Sequence, residues 1–134
     1  MKLLLIDDDE ELCAELREIL EAEGFKVDTA FDGRKGLQLL QARLYHLIVL
    51  DLKLPGINGY GVLKDIRKNA QPVKVLVLSG KPLGKPLLKE DRFHQDEEES
   101  ILKMADAVMN KPFMVEALIQ KIKTLALTVV EKSQ

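Results

Sequence analysis

The chain has 134 residues, 46% hydrophobic and 31% charged, which suits one globular domain able to bury a core. A net charge of −2 without a basic stripe argues against direct nucleic-acid binding, and no apolar run is long enough to span a bilayer. A single cysteine, Cys13, excludes an internal disulfide and a cysteine-built zinc site, and two isolated histidines, His46 and His94, cannot make a metal triad. Met1 leads directly into the first apolar run, so no signal peptide and a cytoplasmic address are expected.

Residues 2–6 form a short apolar run, as in a strand buried on both faces. Residues 9–23 carry Leu12, Leu16, Ile19 and Leu20 on one helical stripe, with acidic residues at the start and Gly24 as the stop. A second strand is expected over 25–30. Asp32-Gly33 makes a turn, and a helix over 34–43 brings in Leu37, Leu39, Leu40 and Leu44. A third strand covers 46–51, followed by the turn-rich Leu54-Pro55-Gly56-Ile57-Asn58-Gly59. Residues 60–69 predict a helix with Val62, Leu63 and Ile66 inward, and 73–78 a fourth strand. Residues 81–86 should be irregular, whereas 97–104 can be helical, with Ile101, Leu102 and Met104 as its apolar side. A fifth strand covers 106–110. The last helix, 114–131, keeps a helical period through Val115, Leu118, Ile119, Ile122, Leu125, Ala126 and Val129. Its continuation to Val130 reads as core, with a homodimer face or a helix into a further domain as the alternative. Phe25, Phe31 and Phe113 are core candidates, and Cys13 a partly buried helix residue. Five β–α pairs with right-handed crossovers give an α/β, doubly wound, five-stranded parallel sheet with helices on both faces.

Reactive side chains fall where strands end. Asp7, Asp8 and Asp9 follow the first, Asp51 ends the third, Ser79 and Gly80 follow the fourth, and Lys111-Pro112-Phe113 follows the fifth. In a parallel sheet these ends share one edge, outside which ligands bind. Clustered carboxylates repel one another unless a cation intervenes, and Mg²⁺ is the usual hard, oxygen-ligated partner. Asp51, the lone acid at the end of a central strand, is the nucleophile candidate for phosphoryl transfer. Ser79 can donate to a phosphoryl oxygen, Gly80 leaves the approach open, and Lys111 offers a point positive charge. Asp9 reads as a helix cap or solvated charge. His94 reads as exposed rather than as a phosphocarrier, and Glu97-Glu98-Glu99 as a solvated face or helix N-terminus.

Leu5-Ile6-Asp7-Asp8-Asp9, Leu50-Asp51-Leu52-Lys53-Leu54-Pro55-Gly56-Ile57-Asn58-Gly59, Val77-Leu78-Ser79-Gly80 and Asn110-Lys111-Pro112-Phe113 occur in one order over nearly the whole chain. In this the chain resembles the receiver domain of two-component response regulators, of the chemotaxis-regulator type. The resemblance implies a flavodoxin-like strand order 2-1-3-4-5 in a single domain over 1–134. It implies that Asp51 takes phosphate from the phosphohistidine of a sensor histidine kinase or phosphotransferase docking near the first helix. It further implies that Asp8, Asp51 and the backbone carbonyl of Lys53 ligate Mg²⁺ (or Mn²⁺) directly, with Asp7 acting largely through water. Ser79 and Lys111 would hold the phosphoryl oxygens, and Lys111-Pro112 would be cis. The output would be a switched contact with a downstream protein target or effector domain. No enzymatic turnover beyond slow autodephosphorylation is expected, and no nucleic acid or membrane is engaged directly.

The chain departs from the family pattern in three places. Val108 stands where relatives usually carry an aromatic residue whose rotamer reports phosphorylation, and Met104-Ala105 replaces a Gly-Ala pair. The span from Ser79 to Lys111 is longer than usual, with the excess around 81–99, which reads as an exposed loop or a partner-specific element. Lys53 and Lys81 occupy positions that tune phosphate hydrolysis in relatives. The alternatives are a switch-impaired receiver-like interaction module and a receiver fragment of a larger kinase or regulator. A phosphohydrolase would need an acid/base beside Asp51, for which Lys53 is unsuited. A flavin carrier would need a hydroxyl- and glycine-rich phosphate loop where the Asp triplet stands.

Overall fold

Five apolar runs become five parallel strands in the computed structural model, which describes residues 1–69, 72–80 and 97–132. β1 (Lys2–Ile6), β2 (Lys26–Ala30), β3 (Leu47–Asp51), β4 (Lys74–Ser79) and β5 (Ala107–Asn110) alternate with helices. These are α1 (Glu10–Ala22), α2 (Gly33–Ala42), α3 (Gly59–Lys68), a helical stretch at 97–102 (α4) and α5 (Val115–Lys132). The sheet order is β2-β1-β3-β4-β5, the flavodoxin-like order expected from the sequence. Because the chain winds outward from β1 in one direction and from β3 in the other, a crevice opens between those two strands at their C-terminal ends.

The period-two geometry of a strand sorts the apolar runs into two cores. Leu4, Ile6, Ile48, Leu50, Val75 and Val77 point to one face, where Leu40, Val62, Leu63, Ile66 and Ile101 of α2, α3 and α4 cover them. Leu3, Leu5, Leu47, Val49, Leu76 and Leu78 point to the other, under Cys13, Leu16, Leu20, Leu118 and Ile122 of α1 and α5. Burial on both faces explains why the strands read as continuous apolar runs rather than alternating ones.

Helix starts are fixed by side-chain caps, which take up backbone donors that the first turn leaves without partners. Asp9, Asp32 and Asn58 accept from the amides of Leu12, Lys35 and Gly61 at 3.0, 2.7 and 3.0 Å. Gly24, with φ +97°, ends the α1 turn.

Several expectations need correction. Leu44 is 87% exposed, because α2 stops at Ala42 and its apolar stripe stops with it. Phe31 lies one residue beyond the last paired residue of the edge strand β2 and is exposed, so it is not core. Cys13 is buried more deeply than expected, at 1% exposure. α4 ends at 102, which leaves Met104 exposed. The loop expected around 81–99 lies outside the described residues up to position 96, as does His94, and so do the side chains of Val129 and Val130.

The N-terminal edge of the sheet is tied by one guanidinium. Arg67, in the last turn of α3, donates to the carbonyls of Met104 and Val73 and to Asp106 Oδ2, each at 2.9 Å. Asp106 Oδ2 also accepts from the Val75 amide at 2.8 Å, and Lys74 Nζ lies 3.4 Å from Oδ1. Asp106→Ala takes the side-chain acceptor from the Val75 amide and the carboxylate from Arg67 and Lys74, and is expected to cost about 1–3 kcal/mol in urea denaturation.

Candidate functional site

β1, β3, β4 and β5 each deliver one end to the same edge. β1 ends at Ile6, so Asp7 and Asp8 emerge into the crevice. Asp51 is the last residue of β3 and Ser79 the last of β4, while Lys111 follows directly on Asn110 of β5. Parallel register sets Asp51 beside Leu78 and Ser79 beside Asn110.

Carboxylate oxygens of Asp7, Asp8 and Asp51 lie within 4.8 Å of one another. Asp7 and Asp51 are buried and Asp8 is exposed. Lys111 Nζ lies 3.3 Å from Asp7 Oδ2 and 3.4 Å from Asp51 Oδ2, an ammonium between two buried acids. Their second oxygens take backbone donors: the Asp9 amide reaches Asp7 Oδ1 at 3.0 Å and the Lys53 amide reaches Asp51 Oδ1 at 3.2 Å. Ser79 is buried, and its carbonyl accepts the Lys111 amide at 2.6 Å, which joins the ends of β4 and β5. The Lys111-Pro112 peptide is cis. Gly80 is exposed, and a Cβ there would meet nothing within 4 Å. Asp9 stays outside the cluster as the α1 cap.

Burial pushes the Asp7 carboxyl above its ordinary range. The Asp9 amide opposes this, Asp51 adds to it and Lys111 again opposes it, and the balance stays upward. For Lys111 burial acts downward, but attraction to Asp7 and Asp51 outweighs it and its pKa rises. Cys13, whose thiol donates to the Asp7 carbonyl at 3.5 Å, is pushed up to about 12, by burial first and then by the neighbouring acids, so it stays a thiol.

The loop after β3 is held tightly. The Gly59 amide donates to the Leu52 carbonyl at 2.9 Å, and the Leu52 amide to the Leu78 carbonyl at 3.1 Å. A Cβ on Gly59 would stand 2.3 Å from the Asp51 carbonyl oxygen and 2.5 Å from Leu52 Cα. Sequence inspection treated Gly59 and Asn58 as turn residues only, although Asn followed by Gly before an apolar stripe is a helix-start signal. It leaves Tyr60 unremarked and reads Glu97-Glu98-Glu99 as a solvated face or a helix N-terminus, and a helix does open at 97. Tyr60 and Glu98 line one cleft with Ser79.

A family profile for the response regulator receiver domain matches residues 3–123. The chain belongs to this family. Receiver domains of this kind are signalling phosphoacceptors. The chain is 39% identical over 125 residues to a transcriptional regulatory protein CpxR homolog of Haemophilus influenzae, a match covering 92% of this chain and 49% of that one. It is 34% identical over 125 residues to the transcriptional regulatory protein TctD of Salmonella typhimurium, covering 93% and 51%. The receiver chain therefore spans about half the length of these relatives. Among solved structures, response regulator TrrA of Thermotoga maritima, in complex with Mg²⁺ and BeF, superposes with a TM-score of 0.73 at 29% identity, covering 92% of this chain and 97% of that one. A CheY-like receiver domain protein of Methanospirillum hungatei gives 0.77 at 25%, covering 98% and 97%. Among the described residues of this receiver, no helix is long and apolar enough to cross a membrane.

Proposed function

We propose that this receiver domain accepts a phosphoryl group on Asp51 from the phosphohistidine of a sensor histidine kinase or phosphotransferase. The observation that carries the reading is the Lys111 ammonium between the buried carboxylates of Asp7 and Asp51, with the Ser79 strand end tied to it. An Asp51 carboxylate oxygen attacks phosphorus, the P–N bond to imidazole breaks with its electron pair, and an acyl phosphate forms on Asp51. The Lys53 amide fixes the carboxylate by its Oδ1. Lys111 and the Ser79 hydroxyl take the phosphoryl oxygens, and Gly80 leaves them room.

Three hard oxygen donors within 4.8 Å of one another suit an octahedral Mg²⁺ or Mn²⁺, whose bonds run to about 2.1 Å. Asp8, Asp51 and the Lys53 carbonyl are the direct ligands in this reading, with Asp7 acting through water. These residues would hold the ion, and its charge would offset that of the carboxylates as an anionic phosphate approaches. Hydrolysis by water is slow, with Lys53 beside the leaving phosphate. The chain acts in the cytoplasm, and its output is a changed contact with a downstream protein target or an effector domain. The length of the transcriptional regulators it matches favours the latter. A second reading, a switch-impaired interaction module, draws on Val108, which is 38% exposed and offers no ring.

Intact-mass analysis after incubation with acetyl phosphate tests the proposal. One phosphoryl adduct with Mg²⁺ and none without it is expected; no adduct in either condition overturns it.

Two further results are expected at this site. Lys111→Met removes the competing ammonium, so Mg²⁺ binds about tenfold more tightly in calorimetric titration, while the metal-free protein loses stability. The second concerns pH. The folded-state pKa of Asp7 lies above its unfolded value, so Asp7 favours folding fully only below that unfolded value. The contribution is lost as pH rises through the folded one. At neutral pH the ionised group is a cost that Mg²⁺ relieves. The rise in Tm on adding Mg²⁺ should therefore be largest at pH 7 and shrink as pH falls through the raised range of Asp7. A gain unchanged by pH would remove Asp7 from the metal's reach.

A further inference from the structure

α2 begins directly on the backbone of another loop. Gly33 is its first residue and is buried. A Cβ on Gly33 would stand 2.1 Å from the Ile57 carbonyl oxygen and 3.1 Å from the Ile57 carbonyl carbon. Both atoms belong to the loop between β3 and α3. The start of α2 is itself fixed. Asp32 accepts from the Lys35 amide by Oδ1 at 2.7 Å, and its carbonyl accepts the Gly36 amide at 3.2 Å.

The loop that Gly33 touches is tied into a ring. The Gly59 amide donates to the Leu52 carbonyl at 2.9 Å across its neck, and the Leu52 amide to the Leu78 carbonyl at 3.1 Å. With the neck closed, a push on Ile57 is passed round the ring to Lys53. Lys53 stands next to the neck, its amide 3.2 Å from Asp51 Oδ1. Only a residue without a side chain lets a helix approach a loop backbone this closely.

We propose that Gly33 is a positioning residue for the metal site. Seated on Ile57 through Gly33, α2 holds the 52–59 ring at the depth that presents the Lys53 backbone to Asp51 and to the ion. The inference rests on the reading of Asp8, Asp51 and the Lys53 carbonyl as Mg²⁺ ligands. A methyl at 33 must drive the Ile57 carbonyl back by about 1 Å to reach an ordinary contact. Mg²⁺ demands near-ideal octahedral geometry, so it does not absorb a ligand displaced on that scale. Gly36, in the same helix, is a matched control. A Cβ there would meet Ile6 Cδ1 at 2.7 Å, the far end of a side chain rather than a loop backbone.

The test is calorimetric titration with Mg²⁺, beside the amide nuclear magnetic resonance spectrum of the metal-free protein. Gly33→Ala is expected to bind Mg²⁺ about tenfold more weakly and to shift the Lys53 amide resonance before any metal is added. Gly36→Ala is expected to lose stability in urea yet keep wild-type Mg²⁺ affinity. A second pair of variants decides the matter should Gly33→Ala not fold. Asp32→Ala frees the first turn of α2 and is expected to weaken Mg²⁺ about two- to threefold, whereas Asp32→Ser keeps the cap and the wild-type affinity. Wild-type affinity in Gly33→Ala, or an equal loss in Gly36→Ala, overturns the positioning role alone. So does an equal loss in both Asp32 variants, which traces to the missing charge, or no loss in either. A wild-type chain that binds no Mg²⁺ overturns the metal reading, and the role of Gly33 falls with it.

Discussion

Asp51→Asn is expected to take no phosphoryl group from acetyl phosphate under conditions expected to add one to the wild-type chain. The amide is close in shape to the carboxylate, and its oxygen can still accept the Lys53 amide now 3.2 Å from Oδ1. What it lacks is the negative charge that makes the oxygen a nucleophile. Labelling should fall about a thousandfold or more, while stability changes by about 1 kcal/mol or less. Removal of one of two acids from the Lys111 ammonium leaves the other, Asp7, to hold it at 3.3 Å. An adduct of wild-type yield on the variant would move the acceptor to Asp7 or Asp8, which intact mass followed by peptide mapping would locate.

Gly59→Val carries the largest expected loss of stability. The atoms a side chain would meet are the Asp51 carbonyl oxygen at 2.3 Å and Leu52 Cα at 2.5 Å, both backbone and both at the end of a central strand. No rotamer change relieves that overlap, so α3 has to lift from β3, and the Gly59–Leu52 hydrogen bond of 2.9 Å goes with it. A cost of about 3 kcal/mol or more is expected in urea denaturation. Gly80→Ala, with nothing within 4 Å of its new methyl, should stay within about 1 kcal/mol of wild type in the same assay. Equal losses in the two variants would show that backbone overlap is not what Gly59 avoids.

The strands and the acidic cluster were legible because they rest on local signals. An apolar run five residues long and a polar residue at its end are properties of neighbours in sequence, and the parallel sheet then gathers those ends on one edge. Phe31 and Leu44 were misjudged because apolarity tells nothing about where an element stops, and both lie just past one. Asp106 and Arg67 carry no local signal, because they are 39 positions apart and only the fold brings them together. Glu98 stands in the first turn of the helix that opens at 97, one of the two readings that three glutamates in a row allow, but nothing local in sequence sets it beside Tyr60 of α3 along one cleft.

The Arg67 tie moors the C-terminal end of α4. Its grip on the Met104 carbonyl, two residues beyond the helix, pins that end to α3 and to the start of β4. Two of its three bonds run to backbone carbonyls and one to a side chain. The mooring therefore follows the path of the chain at 73 and 104 rather than the side chains there, and substitution at either position leaves it in place.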